Sequence, residues 1–382
     1  MSYLDKLLAG RPVTWKPLGE VAEIKHGTGY KHLHRGEIPV YGSGGIMTYV
    51  DQYVYDKPTV LIPRKGSLGN LFYLEEPFWN VDTIYYTKID SSIIIPKLLY
   101  YYLQTQHLEE KNNAGGVPSL TQELLKPILI PIPPRDVQEE IVRVLDRFTE
   151  LEAELEAELE ARQKQYAYYR DLLLSFPDDA VTYLPLDDVC EIKGRIGFRG
   201  YTRKDFVEKG NGAISISPAN IYEQQLCFNA DLKYISWFKY EESPEIKASV
   251  NDIVLTKTAS VGKVAIIKYL PEPATINPQL VLLKNIKCNP YYLFFYLTSH
   301  CFQSTILNLS GVGSVPNISQ QKLRAIPIPI PPLEEQERIV GILDRFETLA
   351  HSITEGLPRE LELRRKQYSY YRDLLLTFPH QD

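Results

Sequence analysis

The sequence predicts an α+β protein in which two similar globular α/β domains are joined by two long helices. The helices are expected to pack as an antiparallel coiled coil, in a circular arrangement with a pseudo-twofold. Three observations predict it: a helical stretch that occurs twice, a strand-rich segment that occurs twice, and a start that matches the middle of the chain.

The helical stretch opens with Gln138-Glu-Glu-Ile-Val-Arg-Val-Leu-Asp-Arg-Phe148 and again with Gln336-Glu-Arg-Ile-Val-Gly-Ile-Leu-Asp-Arg-Phe346. It closes with Lys164-Gln-Tyr-Ala-Tyr-Tyr-Arg-Asp-Leu-Leu-Leu-Ser-Phe176 and Lys366-Gln-Tyr-Ser-Tyr-Tyr-Arg-Asp-Leu-Leu-Leu-Thr-Phe378. Apolar residues fall at Phe148, Leu151, Leu155, Leu159, Tyr166, Tyr169 and Leu173, which is one stripe of a helix. No Pro or Gly interrupts the first copy between Gln138 and Ser175, so it predicts one helix of roughly 57 Å. Such a stripe needs a partner, and the second copy, with Tyr368, Tyr371 and Leu375 in the matching places, supplies it. That copy is longer and contains Gly356-Leu-Pro358, which predicts a break near Gly356.

The chain therefore divides into a first globular domain (1–135, with a helix tail at 3–9), a first long helix (136–177), a second globular domain (178–332) and a second long helix (333–382). Residues 3–9 resemble 169–175, and Trp15-Lys-Pro-Leu-Gly-Glu-Val-Ala-Glu-Ile-Lys25 matches Tyr183-Leu-Pro-Leu-Asp-Asp-Val-Cys-Glu-Ile-Lys193. That register places the two termini near each other. Pro58–Pro63 and Asp252–Thr256 read as strands, each followed by a glycine-bearing loop, 64–69 and 257–262. Helices open at Pro96 and Pro290. Segments 116–121 and 314–319 lead into short helices. A Pro-Ile-Pro-Pro run (131–134 and 329–332) then stops each domain and stiffens the approach to each long helix. The second domain is about 30 residues longer in this register, and the extra length falls between Ile196 and Asp252.

The net charge of −6 is unevenly spread. The first helix carries −6 and the second −3, whereas residues 11–135 carry +1 and 183–332 carry +4, so the globular parts are the neutral-to-basic ones. No run of apolar residues is long enough for a membrane span, and the start lacks a signal-peptide pattern. The four cysteines lie far apart without metal-ligand spacing and read as reduced thiols. A cytoplasmic protein without membrane partners is expected.

Chemistry-bearing motifs are sparse. No phosphate-binding loop occurs. Asn289-Pro-Tyr-Tyr292 reads as a helix-opening proline, and Glu245-Ile-Lys247 as surface charge. No catalytic residues, metal site or cofactor are expected. What stands out is basic residues interleaved with aromatics: Lys25, His26, Tyr30, Lys31, His32, His34, Arg35, Arg64 and Lys65 in the first domain, and Lys193, Arg195, Phe198, Arg199, Tyr201, Arg203, Lys204, Lys257 and Lys263 in the second. Cations of this kind meet phosphates, and Arg or His can also donate to base edges.

The Pro-Ile-Pro-Pro-x-x-x-Gln-Glu segment at 131–139, its counterpart at 329–337, the duplicated long helices and the Trp15-x-Pro-Leu-Gly-Glu start together resemble the specificity subunits of type I DNA restriction–modification enzymes. The resemblance covers the whole chain. It implies two target-recognition domains, each reading half of a split, asymmetric site in double-stranded DNA, with the coiled coil setting the gap. It also implies assembly with two methyltransferase subunits and with restriction subunits. S-adenosylmethionine, ATP and Mg would belong to those partners. The run Glu150–Glu160, with Leu151, Leu155 and Leu159 on one side, reads as a spacer that phosphates repel. Two alternatives from other classes are a self-sufficient nuclease–methyltransferase fragment and a coiled-coil scaffold whose domains bind protein and not DNA.

Overall fold

A computed structural model describes residues 3–111, 119–177, 179–195, 200–228, 232–311, 315–351 and 355–379. The chain forms two compact units. One comprises Met1–Leu155 with Leu361–Asp382, the other Glu156–Glu360.

The first unit is built on an antiparallel sheet in the order Ala22–Lys25, Ile84–Ile89, Thr59–Pro63, Phe72–Leu74. Every residue of Thr59–Pro63 is buried, which suits a short run rich in β-branched side chains between two neighbours. The helix Pro96–Gln104 covers this sheet. It opens on proline, whose missing N–H costs nothing in the first turn. A second, smaller sheet joins the hairpin Ile38–Gly42/Gly45–Val50 to Trp79–Asn80, which runs parallel to its first strand. The same core takes in Leu4 and Leu8 from the start of the chain, Val137, Ile141 and Leu145 from the long helix, and Leu375, Leu376 and Phe378 from the other end. Both ends thus bury apolar residues in one cluster, as the register of the repeat predicts.

The second unit repeats the plan. Its main sheet runs Glu191–Gly194, Leu280–Lys284, Ile253–Thr256, Val264–Ile266, and the helix Pro290–Thr298 covers it. Its smaller sheet has four strands, Phe206–Val207, Tyr234–Ser236, Gly212–Ile216 and Ala274–Ile276. Again only the last pair is parallel. The elements without counterpart in the first unit lie between Arg203 and Ile246, inside the stretch the sequence marks as extra.

The proline runs do more than stop a domain. Leu129–Ile132 pairs antiparallel with Thr14–Pro17, placing Pro131 opposite Trp15, and Pro327–Ile330 pairs with Thr182–Pro185, placing Pro329 opposite Tyr183. A two-stranded ribbon tolerates proline because each strand has a free edge. The segments 116–118 and 314, expected to lead into short helices, lie outside the described residues. The short helices themselves are Gln122–Leu125 and Gln320–Arg324.

The first long helix spans Arg135–Leu173 without a break, 39 residues or about 58 Å. The second copy is two helices, Leu333–His351 and Gly356–Leu376. Gly356 has a φ of 79°, and a Cβ there would meet the Thr348 carbonyl at 2.4 Å, so the break between these helices requires glycine. Each long-helix start is fastened by a buried glutamine. Gln138 Oε1 accepts the Ile95 N–H at 2.9 Å while its Nε2 donates to Pro133 O at 2.9 Å. Gln336 does the same with Asn289 N–H at 2.9 Å and Pro331 O at 2.8 Å. The glutamine satisfies the amide just ahead of each helix-opening proline, an amide that burial would otherwise leave unpaired at a cost of about 1–3 kcal/mol.

Inside each unit, repeat-related aromatic residues stack. In the first, Phe148 lies 5.4 Å from Tyr371 with rings 22° apart. In the second, Phe346 lies 5.5 Å from Tyr169 at 20°. In the first unit Glu152 also pairs with Arg365 at 2.7 Å, so rising numbers on one helix meet falling numbers on the other and the pair is antiparallel. Tyr166 and Leu375 are buried and Tyr368 half-buried. Leu151, Leu155, Leu159 and Leu173 are half-buried, as a stripe covered by a single partner helix would be.

The copies differ at one buried charge. Glu347 stands where the first copy has Thr149. Its side chain is only 5 % exposed, Lys268 Nζ is 3.8 Å away, and its Oε1 has no hydrogen-bond partner among the described residues. Burial raises its pKa, with Lys268 opposing. A raised folded-state pKa keeps the proton on the native chain where the unfolded chain has lost it, so stability falls as pH climbs above the ordinary glutamate value of about 4.3. Glu347→Gln is expected to melt a few degrees above the parent near pH 8, the two midpoints converging as pH drops toward about 4. Thermal melts across that range check it, and a variant less stable than the parent at pH 8 would refute it.

Candidate nucleic-acid interface

In the first unit the segment 26–36 is held by its glycines at both ends. A Cβ on Gly27 would meet Val81 O at 2.0 Å, and one on Gly36 would meet Val50 O at 2.4 Å, so only glycine allows the backbones to approach this closely. Thr28 N–H donates to Asn80 O, Trp79 Nε1 donates to Thr28 O, and the backbones of His34 and Asp51 are joined. On this fixed loop Lys31, His32, His34 and Arg35 are exposed, and Tyr30 is half-buried. His32 sits edge-on to Trp79 at 5.8 Å. Tyr30, Lys31 and His32 line a cleft of about 530 Å³ with Met47, Asp82 and Thr83. Arg64 Nη1 donates to Asp82 O at 3.2 Å and so reaches the same cleft. Exposed Lys65 follows Arg64 on the same loop, whose backbone bridges to Ser119. Among the described residues Lys31, Arg35 and Lys65 pair with no carboxylate, which leaves their charge for an outside anion.

One candidate of this unit is placed differently from the loop expected. Lys25 ends the strand Ala22–Lys25 and pairs with Glu23. His26 is exposed with its ring edge-on to Tyr85 at 5.0 Å.

The second unit scatters its candidates. Lys193 lies on the strand Glu191–Gly194 and pairs with Glu191 at 2.8 Å. Arg195 is a correction: it is 6 % exposed, not on a solvated loop. Its guanidinium stacks 4.9 Å over the Tyr201 ring, and its Nη2 lies 3.4 Å from Thr275 Oγ1 and Ile276 O. Burial lowers its pKa. Arg195 works as a core cation between the small sheet and Tyr201, with no face for a phosphate. Arg199 and Phe198 lie outside the described residues. Tyr201 is half-buried beside Ser215. Arg203 and Lys204 are exposed on a short turn that Thr202 and Asp205 cap, and they pair with no carboxylate among the described residues. Lys257 is half-buried, and burial lowers its pKa. Lys263 is exposed, with its Nζ 3.4 Å from Pro218 O and Ile221 O.

Sequence reasoning missed the exposed apolar strand beside the first cleft, with Ile46, Met47 and Tyr49 about half exposed. It also missed the hairpin Ile221–Tyr222/Gln225–Leu226 in the second unit. Three exposed apolar residues within four positions are a sequence signal only once burial is known. Among the described residues no group of three His, Cys, Asp or Glu is placed to hold a metal ion, and no helix is long and apolar enough to cross a membrane.

The family described as "Type I restriction modification DNA specificity domain" matches residues 12–161 and 179–363. The chain is 36% identical to the Type I restriction enzyme EcoR124I/EcoR124II specificity subunit of Escherichia coli, covering 99% of this chain and 98% of that one. It is 32% identical to a putative type I restriction enzyme specificity subunit of Haemophilus influenzae, again over 99% and 98%. Among solved structures, the S subunit of a type I restriction-modification system from M. genitalium shares the fold at a TM-score of 0.54 and 17% identity, over 97% of both chains. A chain from a study of type I R-M complex assembly does so at 0.59 and 16%, over 96% of this chain and 98% of that one. With two matched segments spanning most of its length, the chain belongs to the type I restriction–modification DNA specificity subunit family.

Proposed function

We propose that this chain supplies sequence choice to a type I restriction–modification complex. Each globular unit reads one half of a bipartite, asymmetric site in double-stranded DNA, and the long helices set the number of base pairs between the halves. The observation that carries this reading is one fold used twice with unlike inserts: the small sheets differ between the units while the main sheets and glutamine fastenings repeat. Unlike readers on a repeated support suit an unsymmetrical target.

The chemistry belongs to other subunits. Methyltransferase subunits would bring S-adenosylmethionine, and restriction subunits ATP and Mg, in the cytoplasm. A count of two methyltransferase subunits is supported by duplicated surface. Tyr168 and Tyr370, both 64% exposed, occupy the same position of the repeated Lys-Gln-Tyr-x-Tyr-Tyr segment, so one partner surface fits both.

Co-expression with the methyltransferase partner and single-molecule mapping of methylated bases tests the reading. The expected outcome is one asymmetric motif in two halves separated by a fixed gap. A continuous or palindromic motif, or methyl transfer by this chain alone, would overturn it.

A further inference from the structure

The two units differ most at one connection. In the first, the strand Ile38–Gly42 turns directly into Gly45–Val50 through Ser43 and Gly44. Asn70, from the loop after the buried central strand, donates to Ser43 O at 3.2 Å. In the second unit the equivalent strand, Gly212–Ile216, reaches its antiparallel neighbour Tyr234–Ser236 only after a long detour that contains the hairpin. Lys263, from the loop after the equivalent central strand, holds that detour at Pro218 O and Ile221 O. The hairpin is thus an elaboration of the same place, resting on the strand Val264–Ile266 and closed by Cys227 N–H donating to Asn220 O at 2.8 Å.

Its tip is unusual. Glu223 and Gln224 form a two-residue turn with φ of 45° and 64°. That turn type favours Asn-Gly, and two long side chains held there keep a strained backbone. Tyr222 beside them is 61% exposed. Tyr222, Glu223 and Gln224 line a cleft of about 330 Å³ together with Lys263 and Gln303. A side-chain amide can pair with adenine, a carboxylate can accept from the cytosine amino group, and a two-stranded ribbon fits the major groove. Lys263 in the same cleft offsets the repulsion between Glu223 and phosphates.

We propose that the hairpin Ile221–Leu226 enters the major groove of the half-site held by the second unit, with Glu223 and Gln224 reading base edges there. The proposal rests on the function inferred above and adds which residues set one half of the target.

The test uses the complex of this chain with its methyltransferase partner and duplexes in which each position of the mapped site is varied. Glu223→Asn with Gln224→Gly gives the turn its favoured residues, so the variant is expected to melt at or above the parent. Discrimination is expected to drop at least about tenfold at one or two adjacent positions of one half, with the other half and the gap unchanged. Glu223→Gln, nearly identical in shape, is the second variant, expected to change base preference at a single position. Unchanged discrimination by both variants overturns the hairpin's role. A parent complex with no sequence preference in either half would instead sink the functional reading itself.

Discussion

Inserting Glu-Ala-Glu-Leu after Leu155 is expected to abolish modification of the native site and to move it to sites with the same two halves and a longer gap. The insert continues the pattern of Leu151, Leu155 and Leu159, so the apolar stripe persists. Four residues add roughly 6 Å of helix, somewhat under two base-pair steps of about 3.4 Å. The helix Arg135–Leu173 contributes residues to both units and contains no glycine or proline to absorb the change. Methylation mapping of a strain carrying the insertion reads the outcome directly. Altered half-sites with the old gap, or full retention of the native site, would refute the role of this helix as spacer.

Replacing Lys31, Arg35 and Lys65 together by alanine is expected to weaken DNA binding by the assembled complex about a hundredfold near 0.15 M salt. Each cation–phosphate pairing removed flattens the dependence of log affinity on log salt by about 0.9, and three such pairings at that salt amount to roughly two orders of magnitude. All three are exposed and pair with no carboxylate among the described residues, so folding stability should hold. Titration across a salt series separates this outcome from simple misfolding. A variant that binds as tightly as the parent, with the same salt slope, would remove this loop from the interface.

How much of this is legible without the structure follows from range. The long helix announces itself through a period of three to four residues, and the break at Gly356 through a Gly and a Pro close together. Both are local signals. The paired glutamines are visible as a repeated residue, but what Gln138 does depends on Ile95, 43 positions away, and spacing along the chain cannot show that. Arg195 illustrates the opposite error. Its neighbours in sequence are basic and aromatic like those of an exposed loop, and only the fold shows Tyr201 and Thr275 closing over it. The hairpin is hidden because its strands are two residues each and its turn lacks the Asn-Gly signature. The proline run 131–134 reads as a stop because the ribbon partner that tolerates it lies more than a hundred residues earlier.

The matched anchoring of Gln138 and Gln336 bears on how new specificities arise. Each reading head is plugged into its helix by a matching socket: one side-chain amide, one main-chain N–H, one proline carbonyl. None of these three belongs to the candidate DNA-contacting residues named above. A head transplanted from another chain that keeps the same plug would seat without any redesign of the rod, so recombination between genes can trade recognition halves as interchangeable cartridges.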